Sequence, residues 1–374
     1  MRVQSPPPHR MARRWFWVAV LAAGAGAFAL IAALGWIAQY QQNQTPQAQI
    51  ESLRRTGRPV QALYLVESSA LVQGWTAERL RLAGDLWREI GDPAAAAAYW
   101  QRALSAAPDD VRLLRDLAET YIGLGQWTQA AAVLAQYTAL EPAQPWAAFQ
   151  LGLIRAAVDA DALTWLETAG TEPAYAPIVT PLVTVLREPA LEAAERALRL
   201  GIALAEQAQW PYAELAFSQA VGDPERAALA LAYNGWARDM QGKDGSADIR
   251  RAVALAPDDA RVRYLEGLHY RTIGDDASSI LAFERAVALD PASPGTYAQL
   301  GAAYALTGDR AAAQYWLETA LAVSNDDPRY QVLLNRFYAE ERDLLTALGF
   351  DSQAFLQAES TPEATAEATS DLSP

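Results

Sequence analysis

Residues 260–293 read ARVRYLEGLHYRTIGDDASSILAFERAVALDPAS, and residues 294–327 read PGTYAQLGAAYALTGDRAAAQYWLETALAVSNDD. When the second segment is laid over the first at an offset of 34 residues, the same residue types fall on the same places. The matching pairs are Gly267 with Gly301, Tyr270 with Tyr304, Gly274 with Gly308, Phe283 with Leu317 and Ala286 with Ala320. The two segments are therefore one helix–turn–helix unit written twice.

Each matched residue type has a structural reason to be where it is. A glycine inside a helix costs about 1 kcal/mol relative to alanine, so Gly267 and Gly301 predict that a partner helix comes close at these points. Gly274 and Gly308 are placed to end the first helix in the left-handed conformation. The aspartate after each of them predicts an N-cap for the second helix.

This 34-residue unit resembles the tetratricopeptide repeat (TPR) family. The resemblance implies an all-α fold, a right-handed α-solenoid of helix–turn–helix (TPR-like) repeats, and a function in binding other proteins. The repeats are expected near 77–110, 111–144, 145–170, 194–225, 226–259, 260–293 and 294–327, with a closing helix at 328–348. Between them, residues 178–186 (IVTPLVTVL) predict a short buried helix, and a flexible hinge is the alternative.

A single transmembrane helix is predicted to precede the repeats. Residues 15–37 read WFWVAVLAAGAGAFALIAALGWI, start at Trp15, end at Ile37 and carry no charge. As a helix they would span about 34 Å, which is enough for a hydrocarbon core of about 30 Å. The alternative is a cleavable signal peptide, whose apolar region is shorter. Four arginines precede the run, so the positive-inside rule predicts a cytoplasmic N-terminus and extracytoplasmic repeats.

The remaining segments are assigned from their composition. We expect residues 1–14 to be a basic, disordered cytoplasmic tail, 38–60 a polar linker in which a helix begins near Ile50 and breaks at 57–59, 61–350 the solenoid, and 351–374 a disordered acidic tail. The last segment is rich in Ala, Thr, Glu and Ser, and such a composition cannot bury enough apolar surface to order itself.

The composition argues against several kinds of site. The 374-residue chain has no cysteine, which excludes disulfides, thiolate metal sites and cysteine nucleophiles. It has two histidines, His9 and His269, and the second is interpreted as an ordinary helix-surface residue. The net charge of −14 argues against nucleic acid as a partner. No cofactor is expected, and the chain is not expected to be an enzyme.

The candidate binding site follows from the resemblance, which implies a concave groove lined by the first helix of each repeat. By register, the candidate partner-binding residues are Arg112, Arg115, Glu119, Tyr264, Leu265, Leu268, Arg271 and Leu306. Some members of the family grip a carboxylate with a lysine–asparagine clamp, but the lysine of this chain, Lys243, lies outside those positions.

The apolar members of this set predict a strip that would suit a helix or an extended peptide. The alternative is that the closing helix covers the strip as part of the core. The function expected on these grounds is a membrane-anchored scaffold that binds a protein or peptide, and the alternative is a noncatalytic subunit of a cell-envelope enzyme or of a secretion or assembly complex.

Overall fold

The computed structural model describes residues 46–158 and 161–339 of the chain. Over these residues the secondary structure consists of α-helices joined by short turns, without a strand. The predicted all-α, TPR-like class is confirmed. The basic tail, the transmembrane helix predicted at 15–37 and the acidic tail at 351–374 lie outside the described residues. No helix within the described ranges is both long and apolar enough to cross a bilayer.

The described part of the chain contains eighteen helices, numbered here in chain order. They are α1 (Pro46–Arg55), α2 (Pro59–Gln73), α3 (Ala77–Ile90), α4 (Pro93–Ala106), α5 (Val111–Gly123), α6 (Trp127–Leu140), α7 (Pro145–Ala157), α8 (Leu163–Gly170), α9 (Ala176–Leu186), α10 (Ala193–Glu206), α11 (Trp210–Ala220), α12 (Ala227–Asp239), α13 (Ser246–Leu255), α14 (Ala260–Thr272), α15 (Asp276–Leu289), α16 (Pro294–Thr307), α17 (Arg310–Val323) and α18 (Pro328–Tyr338).

The chain divides into two compact units, residues 1–120 and 121–374, with the boundary inside α5. In the first unit, α1 packs on α2, α2 on α3, and α3 on α4. In the second unit, each helix from α6 to α18 contacts the next one along the chain, and α12 also contacts α14. Each repeat therefore buries its apolar face against its sequence neighbours, as in other repeat proteins.

Gly267 and Gly301, which predicted close helix contacts, each lie against a large side chain of the next helix. A Cβ atom built on Gly267 would stand 2.6 Å from the Phe283 ring, and one built on Gly301 would stand 2.7 Å from Cγ of Leu317. Real Cβ contacts are longer than this, so only glycine lets α14 meet α15, and α16 meet α17, at these points. The prediction of close approach is confirmed.

The turns within these pairs have the predicted chemistry. Gly308 adopts φ +85° just after α16, in the left-handed region. The carboxylate of Asp309 then accepts a hydrogen bond from the backbone N–H of Ala312 at 3.0 Å. Asp275 caps α15 in the same way, through the N–H of Ser278. Both N-caps are confirmed.

Three segments differ from, or add detail to, the sequence interpretation. The helix expected near Ile50 within the segment 38–60 is α1, which starts earlier, at Pro46. It buries Ile50 in one core cluster with Leu63 and Val66, so the segment is not linker throughout. Residues 176–186 form the helix α9 with Leu182 fully buried, which favours the helix over the hinge. The closing helix is described as far as Tyr338.

Candidate functional site

The apolar strip predicted on α14 lies in the core of the second unit. Tyr264, Leu265 and Leu268 have 2%, 1% and 2% of their surface exposed. The helix contacts α12, α13 and α15, which leaves these side chains no open face. Leu306, near the end of α16, is 56% exposed. Burial therefore favours the alternative in which the three residues of α14 belong to the core. Leu306 is the member of the four apolar candidates that a partner can reach.

The closing helix was the alternative cover for the strip, but it does not bury α14. Tyr330 and Phe337 of α18 belong to a core cluster with Tyr297 and Ala298 of α16. The ring of Tyr264 instead lies 5.7 Å from that of Phe283 on α15. The alternative in which α18 covers the strip therefore holds where the strip continues on α16, at Ala298, and not on α14.

Arg271 is held in a polar chain beside this core. Its Nη1 donates to the side-chain oxygen of Gln299 on α16, and Nε2 of Gln299 lies 3.4 Å from the hydroxyl of Tyr264. Burial lowers the pKa of the Arg271 guanidinium from its ordinary value. The amide of Gln299 carries no charge, so this contact does not neutralise the guanidinium of Arg271. The hydrogen bond between the two side chains links α14 to α16.

The charged candidates on α5 lie on an accessible surface of the first unit. Arg112, Arg115 and Glu119 are all exposed. Nε of Arg115 donates to the Glu119 carboxylate at 2.9 Å, and about half of each side chain is open to solvent (53% and 51%). A pair of this kind contributes only about 0.3–0.5 kcal/mol to a helix, so a partner's charges can replace it at little cost. We call Arg112, Arg115 and Glu119 the α5 charged surface.

Other charges on the first helices of the repeats are already used inside the first unit. Arg81 of α3 binds Asp110 at 2.7 Å, and Arg88 binds Asp116 at 2.9 Å. Asp85 accepts a hydrogen bond from the indole of Trp100 at 3.1 Å, and burial raises the pKa of that carboxyl. These residues fasten α3 to its neighbours, so they contribute to the packing of the repeats.

A cavity of about 520 Å³ lies between α1, α2 and α3. Ile50, Val66 and Leu82 are among its apolar lining residues, and Gln47 and Glu78 are among its polar ones. Its size and mixed lining suit a side chain or a short segment of a partner. Sequence reasoning missed this cavity because its walls come from three helices, and the sequence does not show how their side chains meet.

His269 was expected on a helix surface, and this interpretation is wrong. It is 3% exposed, its Nδ1 lies 2.6 Å from Oδ2 of Asp239, and its Nε2 lies 3.4 Å from Oγ of Ser246. The other oxygen of Asp239 accepts the backbone N–H of Gly245 at 2.9 Å. Asp239 thus joins the end of α12, the following turn and α14. A Ser–His–Asp order can activate a serine, but here the imidazole is enclosed.

No group of three or more histidine, cysteine or acidic side chains that could hold a metal ion occurs in the part of the chain that the structure describes.

The family comparison falls on the region that carries the α5 charged surface. The tetratricopeptide repeat family model matches residues 89–157. This stretch includes part of α3, all of α4, α5 and α6, and α7. No curated protein matches the chain.

Several solved structures are similar at low identity. A tetratricopeptide repeat protein from Parabacteroides merdae ATCC 43184 is 16% identical, with 70% of this chain and 98% of that chain covered and a TM-score of 0.34. Yeast Tom70 is 14% identical, with coverages of 76% and 70% and a TM-score of 0.33. The APC/C hetero-tetramer Cut9–Hcn1 is 15% identical, with coverages of 78% and 55% and a TM-score of 0.34. These values are too low to transfer a function.

Proposed function

We propose that this protein is a membrane-anchored scaffold of TPR-like repeats that binds a protein partner on the extracytoplasmic side. The observation that carries the proposal is the α5 charged surface, which lies within the residues that match the repeat family. The guanidinium groups of Arg112 and Arg115 are exposed, so a partner with complementary carboxylates gains attraction without opening the core.

The membrane anchor and its orientation are supported by the sequence of the first 37 residues. The uncharged run 15–37 has the length of a bilayer span, and Arg2, Arg10, Arg13 and Arg14 precede it. The chain from Gln39 to Pro46 is polar and short, and would place the repeats close to the extracytoplasmic surface of the membrane.

A crosslinking pull-down from intact membranes tests the binding site. We expect Arg112→Ala combined with Arg115→Ala to lose the captured partner, and the wild-type capture to weaken with added salt because the contact is electrostatic. The matched control is Arg251→Ala with Arg285→Ala, two exposed arginines of the second unit. Capture that survives the first pair of substitutions and ignores salt would contradict a site on α5.

The proposed role is noncatalytic. The enclosed imidazole of His269 supports this, because general-base catalysis needs access to the reacting group. A fluorophosphonate probe, which reacts with activated serines, should leave the purified protein unlabelled. Labelling that disappears in Ser246→Ala would show instead that this serine is activated.

A further inference from the structure

Helix α2 has an apolar face that the described residues of the first unit leave exposed. Val60, Tyr64, Leu71 and Val72 have 63%, 72%, 86% and 86% of their surface in solvent. Val60, Tyr64 and Leu71 are separated by four and seven residues, so they form one stripe along the helix, and Val72 flanks it. We call these four residues the outer face of α2.

The opposite face of α2 makes the core of the first unit. Ala62, Leu63, Val66 and Ala70 are buried there, against residues of α1 and α3. The one ionisable acid of the helix, Glu67, accepts a hydrogen bond from the hydroxyl of Tyr99 at 3.0 Å. A helix that is apolar on both faces is normally enclosed on both. The outer face of α2 therefore requires apolar surroundings that the described residues of the first unit do not provide.

Basic side chains stand at the end of this face. Arg55 and Arg58, in the turn between α1 and α2, are exposed. Apolar and aromatic side chains with arginines beside them are suited to the headgroup region of a bilayer. Anionic lipid adds about 1 kcal/mol of attraction per nearby arginine.

The sequence also places this helix within reach of a bilayer. Nine residue steps separate Ile37, the end of the uncharged run, from Pro46, the start of α1. A chain of that length spans at most about 30 Å. If the run 15–37 crosses the membrane, the start of α1 at Pro46 cannot lie farther than this from its surface, and α2 follows after one short helix.

We propose that the outer face of α2 docks on the membrane surface, with its apolar side chains among the lipid headgroups and Arg55 and Arg58 on anionic lipid. The inference rests on the proposed membrane anchor. A second copy of the chain is a poorer occupant, because a stable interface takes about 800 Å² from each partner. Four side chains on one 15-residue helix supply only a part of that area.

Site-specific fluorescence tests this docking, because the chain has no cysteine of its own. The full-length protein carrying Leu71→Cys is labelled with an environment-sensitive dye and reconstituted in vesicles of phosphatidylcholine with about one third phosphatidylglycerol. The matched control is Leu281→Cys on α15, an apolar position that is 67% exposed. We expect the dye at 71 to shift to the blue and to be quenched by lipids that bear bromine, and the dye at 281 to show neither effect.

The two arginines supply a second measurement on the same label. In the Leu71→Cys background, Arg55→Glu with Arg58→Glu should weaken lipid quenching at 71, and omission of phosphatidylglycerol should do the same. Loss of one arginine contact corresponds to about a fivefold fall in the docking equilibrium.

Each contrary outcome has a different meaning. A dye at 71 that stays in water while the protein floats with the vesicles leaves the anchor standing and overturns the docking. A blue shift without lipid quenching shows that protein, a second copy or another chain, covers the face, and this also overturns it. Failure of the protein to float with the vesicles removes the anchor, and with it the inference.

Discussion

The side chain of Gly301 is a single hydrogen atom, and this allows α16 and α17 to pack closely. A methyl group there would meet Cγ of Leu317 at 2.7 Å and the backbone oxygen of Ala313 at 3.1 Å. We expect Gly301→Ala to lower the free energy of unfolding by about 1–3 kcal/mol, because overpacking forces the two helices apart. Urea unfolding followed by far-UV circular dichroism measures the change.

Gly295 provides the matched control within the same helix. A Cβ atom there would come no closer than 3.8 Å, to the hydroxyl of Tyr330. Gly295→Ala should therefore be neutral, or more stable by up to about 1 kcal/mol through helix propensity. Equal destabilisation by the two substitutions would contradict the packing role of Gly301.

The buried carboxylate of Asp239 supports a second prediction. Asp239→Ala leaves Nδ1 of His269 and the N–H of Gly245 without their acceptor, and each unsatisfied buried group costs about 1–3 kcal/mol. Asp239→Asn keeps one of the two acceptor oxygens and should cost less. Thermal unfolding of the two variants gives the comparison, and an asparagine variant as unstable as the alanine one would show that both carboxylate oxygens are required.

These residues differ in how far the sequence could predict them. The role of Gly301 was predictable because its counterpart Gly267 recurs one period earlier, and both meet a large side chain of their own pair. The burial of His269 was not, since its partner Asp239 lies 30 residues away in the preceding repeat. A residue's position within its own repeat does not reveal which polar group the neighbouring repeat brings to it.

Helices α10 and α12 are joined by an ionic cluster around Glu195. Its carboxylate accepts hydrogen bonds from Arg199 at 2.7 Å and from Arg226, the residue before α12, at 3.0 Å. Burial raises the pKa of Glu195, but the hydrogen bonds from both arginines outweigh it, so the net pKa is lowered. A carboxyl with a lowered folded pKa stabilises the fold above its unfolded pKa, and this contribution is lost as the pH falls through the folded value.

Glu195→Gln is therefore expected to destabilise the protein at neutral pH by about 1–3 kcal/mol. The loss should shrink as the solution is acidified through the carboxyl range, because the wild-type glutamate then becomes protonated as well. Urea midpoints measured along a pH series test this. The control is Glu167→Gln, whose partner Arg187 is 62% exposed and whose pair should contribute little. A loss that does not depend on pH would contradict the ionic role of Glu195.

At the scale of helices, periodicity predicted what each pair looks like. In the polar segment 38–60 a helix was expected to begin near Ile50, and α1 forms there from Pro46, with Ile50 as its buried residue. The strip on α14 illustrates the opposite case. Its apolar residues occupy groove positions by register, but α12 and α13 pack on the same helix and enclose them. Only the packing of neighbouring repeats decides whether such a position is surface or core.

The topology of the whole chain is tested by reporters fused after Pro374. We expect an alkaline phosphatase fusion to be active and a fluorescent protein that folds only in the cytoplasm to be dark, because the arginines before residue 15 hold the N-terminus inside. Replacement of Arg10, Arg13 and Arg14 by Glu should mix the two orientations. A bright cytoplasmic reporter on the unsubstituted chain would reverse the proposed orientation.

The clasp of a large side chain over a glycine recurs in several pairs, as at Gly201 with Phe217 and at Gly267 with Phe283. Both residues of such a clasp belong to the same helix pair, so the contact does not depend on which pair comes before or after. The bonds between successive pairs are individual, because His269 needs Asp239 on one side and Arg271 needs Gln299 on the other. Exchanging the order of 260–293 and 294–327 would preserve every clasp and break both bonds. A few polar contacts between successive pairs thus specify the order of the repeats, while the glycines specify the packing within each pair.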